Sequence, residues 1–139
     1  MRRAVAHFEE QTGQSVSLEI PDGLEGACAP EALPPAASVQ LLRILQEALA
    51  NVRKHAGSPS QVAVRLEAAG GELRMTVTDD GAGFDVALAG ADSKHYGLRV
   101  MGQRAERIGG RLSVHSSPGQ GTRVEVCVLM AAGAMRRAT

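Results

Sequence analysis

Four short stretches of this 139-residue chain bring together residue types that do chemistry. In the first, Glu47 and Asn51 stand four residues apart within a helical pattern, so they project from one face, one turn apart, with Lys54 on the same side. That face lies away from the apolar stripe of Leu41, Leu45, Leu49 and Val52. A carboxylate, an amide oxygen and an ammonium held side by side can orient water, ligate Mg²⁺ and meet phosphate. The ordinary alternative is a solvated helix face. The second stretch is Val77-Thr78-Asp79-Asp80-Gly81-Ala82-Gly83-Phe84. Asp79 shares the strand parity of Leu73, Met75 and Val77 and points to the side that the apolar residues cover, whereas Asp80 points away. A carboxylate on a covered face needs a hydrogen-bond donor, and the exocyclic amine of a bound base supplies one. Gly81 and Gly83 would let the backbone turn sharply and approach a flat ligand; the alternative is an Asp-Gly turn closing a strand. In the third stretch, Gly97-Leu98 opens an apolar-periodic helix whose free N–H groups would suit a phosphate. The fourth, Gly119-Gln120-Gly121-Thr122, lies between two strands and by itself reads as a hairpin turn.

The elements that must position these residues are legible in the periodicity. A helix over residues 2–12 is broken at Thr12-Gly13-Gln14, and Val16, Leu18 and Ile20 then alternate as a half-buried strand. Residues 21–37, rich in Pro, Ala, Gly and Glu, read as a loop. A long helix runs from about Ala37 to Ala56 and stops at Gly57-Ser58-Pro59. Two strands, Val62–Leu66 and Leu73–Val77, flank the Gly70-Gly71 turn as a hairpin. A polar run from Asp79 to Tyr96 leads to a second long helix, Gly97 to about Ile108, which ends at Gly109-Gly110. Leu112 and Val114, then Val124, Val126 and Val128, form the last two strands. Hairpins with helices between them predict an α+β fold: a two-layer sandwich with a mixed, mostly antiparallel sheet and helices on one face. Residues 1–14 read as the end of an upstream helix or linker, 15–130 as the domain, and 131–139 as a frayed tail.

Composition narrows the function. Lys plus Arg and Asp plus Glu both number 15, and the aromatic residues are Phe8, Phe84 and Tyr96. A balanced chain with so few stacking platforms argues against nucleic-acid binding. A hydrophobic content of 44% fits a globular domain. No apolar run reaches the length of a membrane span, and the N-terminus has no signal-peptide character. Cys28 and Cys127 are far apart and lack metal-ligand spacing, as for free thiols in a reducing cytoplasm.

Taken in order, Glu47-x-x-x-Asn51, Asp79-x-Gly81-x-Gly83, Gly97-Leu98 and Gly121-Thr122 resemble the Bergerat ATP-binding fold of gyrases, heat-shock chaperones, histidine kinases and MutL. The segment Gln46–Ala56 is similar to the asparagine box of the nitrate-sensor and lipid-thermosensor type of sensor histidine kinase, and His95–Gly110 to its second glycine box. The resemblance covers about residues 15–129. It implies a domain that binds ATP with Mg²⁺. Glu47 would be the general base or water-orienting carboxylate, Asn51 the Mg²⁺ ligand, Lys54 a phosphate contact, and His55 a neighbour of the nucleotide. Asp79 would accept the adenine amino group, Gly81 and Gly83 would shape its pocket, and Gly97 and Leu98 would underlie the triphosphate. Gly121 belongs to the same pattern, and Thr122 would add a hydroxyl beside the adenine; residues 84–96 would form a mobile lid. The chain departs from the wider family in carrying Asp80 where Asn is frequent, and in lacking a doubled second glycine pattern.

The implied partners are a His-containing dimerisation domain of the same kinase and a downstream response regulator, with no nucleic acid. Only residues 1–14 precede the first strand, too few for a helical hairpin bearing the phosphoacceptor. The chain is therefore expected to be the catalytic fragment of a larger homodimeric kinase, monomeric alone and unable to autophosphorylate alone. It would be a cytoplasmic domain, whether or not its parent is membrane-anchored. Two other readings stand beside this one: a free-standing serine kinase of the anti-sigma type, and a non-catalytic nucleotide-binding module.

Overall fold

Alternating apolar residues in five segments build one sheet. The structure is a computed structural model and describes residues 1–20, 35–57, 61–85 and 96–129. Of the predicted loop over residues 21–37, residues 21–34 lie outside the described residues, whereas 35–37 are helical: α2 begins at Pro35, two residues before its predicted start, since proline is well suited to a first helical turn. Most of the predicted lid, Cys28 and the tail also lie outside the described residues, as do the side chains of His55 and Tyr96. In chain order the elements are α1 (Arg2–Thr12), β1 (Val16–Glu19), α2 (Pro35–His55), β2 (Val62–Ala69), β3 (Glu72–Asp79), α3 (Tyr96–Arg107), β4 (Arg111–Ser116) and β5 (Thr122–Leu129). Among the described residues the sheet has five strands in the order β1-β2-β3-β5-β4. β1 runs parallel to β2, and every other pairing is antiparallel. The parallel pair needs a crossover, which α2 supplies. The fold is the α+β two-layer sandwich that the periodicity predicts. The strands β2 to β5 run one to three residues beyond their apolar cores, because ladder pairing continues through polar residues, as at Ala69↔Glu72 and Asp79↔Thr122, whereas β1 stops at Glu19, one residue short of the predicted Ile20, where its pairing with β2 ends.

One face of the sheet is apolar in ordered rows. Leu66, Met75, Val126 and Leu112 stand abreast across four strands, and Val64, Val77, Val124 and Val114 form the next row. Onto these rows α2 lays Leu41, Ile44, Leu45, Ala48, Leu49 and Val52, and α3 lays Met101 and Ala105, all buried. Arg104 of α3 donates from Nη1 to Gln40 Oε1 of α2 at 3.1 Å, which ties the two helices along their shared edge.

The N-terminal helix packs on the same body. Val5 and Phe8 of α1 are each 4% exposed and belong to the core. Gly13 ends the helix in the left-handed conformation, and its N–H donates to the Glu9 carbonyl at 2.9 Å. The Glu9 carboxylate then accepts the N–H of Val16 at 3.0 Å, so the helix sets the starting point of β1. Truncating Phe8 would leave a cavity in shared core. Phe8→Ala is expected to destabilise the whole domain by about 3 kcal/mol in urea-induced unfolding, in a single transition. Loss of α1 alone, with the sheet intact, would contradict this.

Candidate functional site

The apolar rows end in a polar one. Next after Val64, Val77, Val124 and Val114 come Val62, Asp79, Thr122 and Ser116, paired across the same four strands. The strand parity that buries Val77 therefore carries Asp79 to the helix side, at the margin of the core. Asp80 is exposed, and its Oδ1 accepts the Gln61 N–H at 2.9 Å. Asp79 and Asp80 thus lie on opposite faces, as strand parity predicts.

Beyond β3 the chain is pinned on two sides. Gly81 N–H donates to Asp79 Oδ1 at 2.8 Å, and Ala82 N–H donates to the Ala56 carbonyl, just past α2, at 2.9 Å. On the other flank Gly119 N–H donates to the Ala82 carbonyl at 2.6 Å. Ser116 Oγ is the knot of this region. It accepts the Phe84 N–H at 2.9 Å and donates to the Gly121 carbonyl at 2.8 Å. A hydroxyl has one proton to give, so in its 3.0 Å contact with Thr122 Oγ1 the threonine is the donor.

Glycine is required here by the chain itself. A Cβ on Gly81 would overlap the Ala56 carbonyl, and one on Gly83 would overlap the Ser117 carbonyl. On Gly121 it would overlap the Asp79 carbonyl. Sequence reasoning gave Gly81 and Gly83 to a close approach by a flat ligand. The approach seen is that of backbone to backbone, although Gly83 also lines the cleft.

The cleft lies between α2 and the ends of β3 and β5. From α2 and its end come Ala48, Asn51, Val52 and Ala56; from the strands come Val77, Asp79, Thr122 and Val124. Gly83 and Phe84 close one side and Leu98 of α3 the other. The structure thus gathers Asn51, Asp79, Gly83, Leu98 and Thr122 around one cavity. Glu47 stands one turn before Asn51, with its carboxylate against Gly97. Gly97 lies in the first turn of α3, which begins one residue earlier than its pattern predicts. Lys54 is exposed on α2. Gly121 lines a second, open recess at the strand ends, together with His115 and Arg123 and with Asp79 and Thr122, which border both hollows. Sequence reasoning missed Ser116, which looked like part of a turn, and the apolar walls from Ala48, Val52, Ala56 and Phe84. The register of Asp79 against Thr122 and of Thr122 against Ser116 would have pointed to Ser116, but register is not visible in one strand alone.

The electrostatics single out Asp79. Burial at the cleft floor raises its carboxyl above the ordinary value of 3.8, opposed by the Gly81 N–H and assisted by the neighbouring negative charge of Asp80. A half-buried carboxylate at the edge of an apolar recess is less well solvated than a surface one and gains from a ligand that donates to it. Among the described residues there is no group of three or more His, Cys, Asp or Glu side chains fit to hold a metal ion. Asn51 and Glu47 offer oxygen donors of the kind Mg²⁺ takes when phosphates complete its shell.

Comparison with known proteins gives the family. Residues 36–132 match the profile of the histidine kinase-, DNA gyrase B- and HSP90-like ATPases. The chain is 38% identical over 112 residues to the sensor histidine kinase MctS of Rhizobium johnstonii, covering 80% of this chain and 23% of that protein. It is 46% identical over 88 residues to the sensor histidine kinase LiaS of Bacillus subtilis, covering 63% of this chain and 24% of that one. The chain therefore spans about a quarter of the length of these curated relatives. The fold matches the histidine kinase domain of the Erythrobacter litoralis EL346 blue-light activated histidine kinase, with a TM-score of 0.70 at 22% identity over 99% of this chain and 62% of that one. An Asn-bearing helix laid over a lone recessed aspartate, in a chain with these relatives, belongs to the family of histidine kinase-, DNA gyrase B- and HSP90-like ATPases, as the catalytic ATPase domain of a sensor histidine kinase.

Proposed function

We propose that the domain binds Mg–ATP in the cleft between α2 and the strand ends and passes the γ-phosphoryl group to a histidine on a dimerisation domain outside this chain. The observation that carries the reading is the half-buried Asp79 carboxylate at the end of an apolar recess, with the Asn51 amide at its other side. Adenine fits between the apolar walls and donates its exocyclic amine to Asp79, while the Thr122 hydroxyl stands beside it. Guanine presents a carbonyl oxygen at that position, which a carboxylate repels. The triphosphate then runs toward Asn51, Glu47 and the first turn of α3, with Lys54 and His55 of α2 beside it. Asn51 would hold Mg²⁺, which supplies charge neutralisation on the phosphate oxygens when bound. Glu47 takes the proton that the acceptor imidazole sheds as its nitrogen attacks phosphorus. The P–N bond forms, the bond to the bridging oxygen breaks, and ADP leaves.

On this reading residues 15–130 are the nucleotide-binding unit and residues 1–14 lead in from the rest of the kinase. Its partners are that dimerisation domain in a homodimer and a response regulator that receives the phosphoryl group. The domain would work in the cytoplasm. Among the described residues no helix is long and apolar enough to cross a membrane.

Calorimetric titration tests the site. Asn51→Ala is expected to remove the Mg²⁺-dependent part of ATP affinity. Asp79→Asn is expected to weaken ATP at least about tenfold, the cost of one charge-assisted hydrogen bond, and to narrow the preference for ATP over GTP. Equal losses for both nucleotides would count against an adenine contact.

The same substitution has a predicted signature in stability. Burial raises the Asp79 carboxyl above its ordinary value in the folded protein, so ionisation penalises the folded state. That penalty sets in as pH rises through the unfolded value and is complete above the folded one. Asparagine removes it and keeps an oxygen for the Gly81 N–H. Thermal unfolding of Asp79→Asn should therefore show a stability gain over the parent protein that grows from pH 4 to pH 7. A gain that shrinks over that range would refute the assignment.

A further inference from the structure

The helix α3 carries two glycines that face different surroundings. A Cβ added at Gly102 meets nothing closer than Leu112 Cδ2 at 3.9 Å, ordinary contact. A Cβ added at Gly97 would collide with Glu47 Oε1, lie 3.0 Å from Glu47 Cδ, and come within 3.3 Å of Asn51 Oδ1. Gly97 does not have a positive φ, so its backbone conformation is open to any residue. Within a helix, alanine is the more favourable residue by about 0.8–1.0 kcal/mol. Neither backbone geometry nor helix propensity therefore accounts for glycine at 97. The carboxylate does.

The geometry points to Gly97 as a positioning residue for Glu47: its bare Cα is the seat on which the Glu47 carboxylate rests, beside the Asn51 amide oxygen. This deepens the proposed reading of the site and rests on it for its chemical meaning. The sequence pattern assigns Gly97 to the triphosphate, as the place where a backbone lies under phosphate. The contact gives a different reason. Two oxygen atoms of α2, Glu47 Oε1 and Asn51 Oδ1, share one small space with the bare Cα of Gly97 on α3, and a methyl group at 97 would drive the carboxylate off its seat. The added Cβ also stands 3.3 Å from Asn51 Oδ1, so the change at 97 reaches the amide expected to hold the metal as well. The carboxylate is the far end of a flexible side chain, so a methyl at 97 acts by moving Glu47 to another rotamer while the helix backbones stay in place.

A double-variant cycle on this chain tests the seat, using Gly97→Ala, Glu47→Ala and the two combined. With Glu47 present, Gly97→Ala is expected to lower the melting temperature. In the Glu47→Ala background the same change is expected to be neutral or to raise it, because only helix propensity remains. An equal loss in both backgrounds would overturn the proposal. Should Gly97→Ala alone fail to fold, a folded double variant supports the seat and an unfolded one refutes it. This arm needs no nucleotide, so it judges the contact even if the protein binds no ATP, a result that would sink the proposed function instead. The second arm reads ATP affinity with and without Mg²⁺. Gly97→Ala should cut the Mg²⁺-dependent part at least tenfold while leaving the Mg²⁺-free part within twofold. In the Glu47→Ala background it should change neither by more than twofold. A loss of the same size in both backgrounds would return Gly97 to the phosphates and overturn the positioning role.

Discussion

The structure depends on one carboxylate placed where the core runs out. Two full rows of aliphatic side chains cross the sheet, and the third carries Asp79 on the same face. The row before it is dry and the row itself is not, so the charge stands at the boundary between core and cleft. Its burial is an expense in stability, visible in the direction of its proton affinity. Folding alone gives no reason to keep an acid there; a donor arriving from outside does.

The surroundings hold this acid without satisfying it. Of the hydrogen bonds near it among the described residues, that of Gly81 N–H reaches the carboxylate, at 2.8 Å. The others tie backbone to backbone or pass through Ser116, and they fix the Asp79–Phe84 segment between α2 and the β4–β5 turn. The glycines allow that closeness, since each side chain they lack would occupy space already taken by a carbonyl. The result is a rigid floor with one oxygen-rich point, which is how a site distinguishes a donor from an acceptor on an otherwise flat ligand.

The opposite face of the sheet does different work. Arg74 meets Glu125 at 3.4 Å, Arg111 meets Glu72 at 3.1 Å and Arg65 meets Glu19 at 3.3 Å, all along exposed strands. Such pairs add little stability singly. They keep the uncovered face wetted, and long arginine stems flank Cys127 in register, which leaves that thiol buried although it points away from the helices. Alternation alone would have left it exposed. The helices can therefore all sit on one side, where the cleft is.

The periods of the apolar residues were enough to place α2, α3 and the strands, because a helix stripe and a strand alternation are both local patterns in one dimension. Parity along β3 was likewise enough to send Asp79 inward and Asp80 outward. The spacing of Glu47 and Asn51 put them on one face before any partner was known. What lay beyond reach was everything that depends on which residue stands opposite which. That Val62, Asp79, Thr122 and Ser116 form one row needs the register of four strands, and a one-residue slip would have turned each of them over. That Gly97 faces a carboxylate, and Gly81 and Gly83 face carbonyls, needs the packing of segments dozens of residues apart. Sequence determined the elements and the chemistry they carry, since both follow from neighbours along the chain. Tertiary structure alone decided why the glycines must be glycines, since excluded volume acts between atoms that only folding brings together.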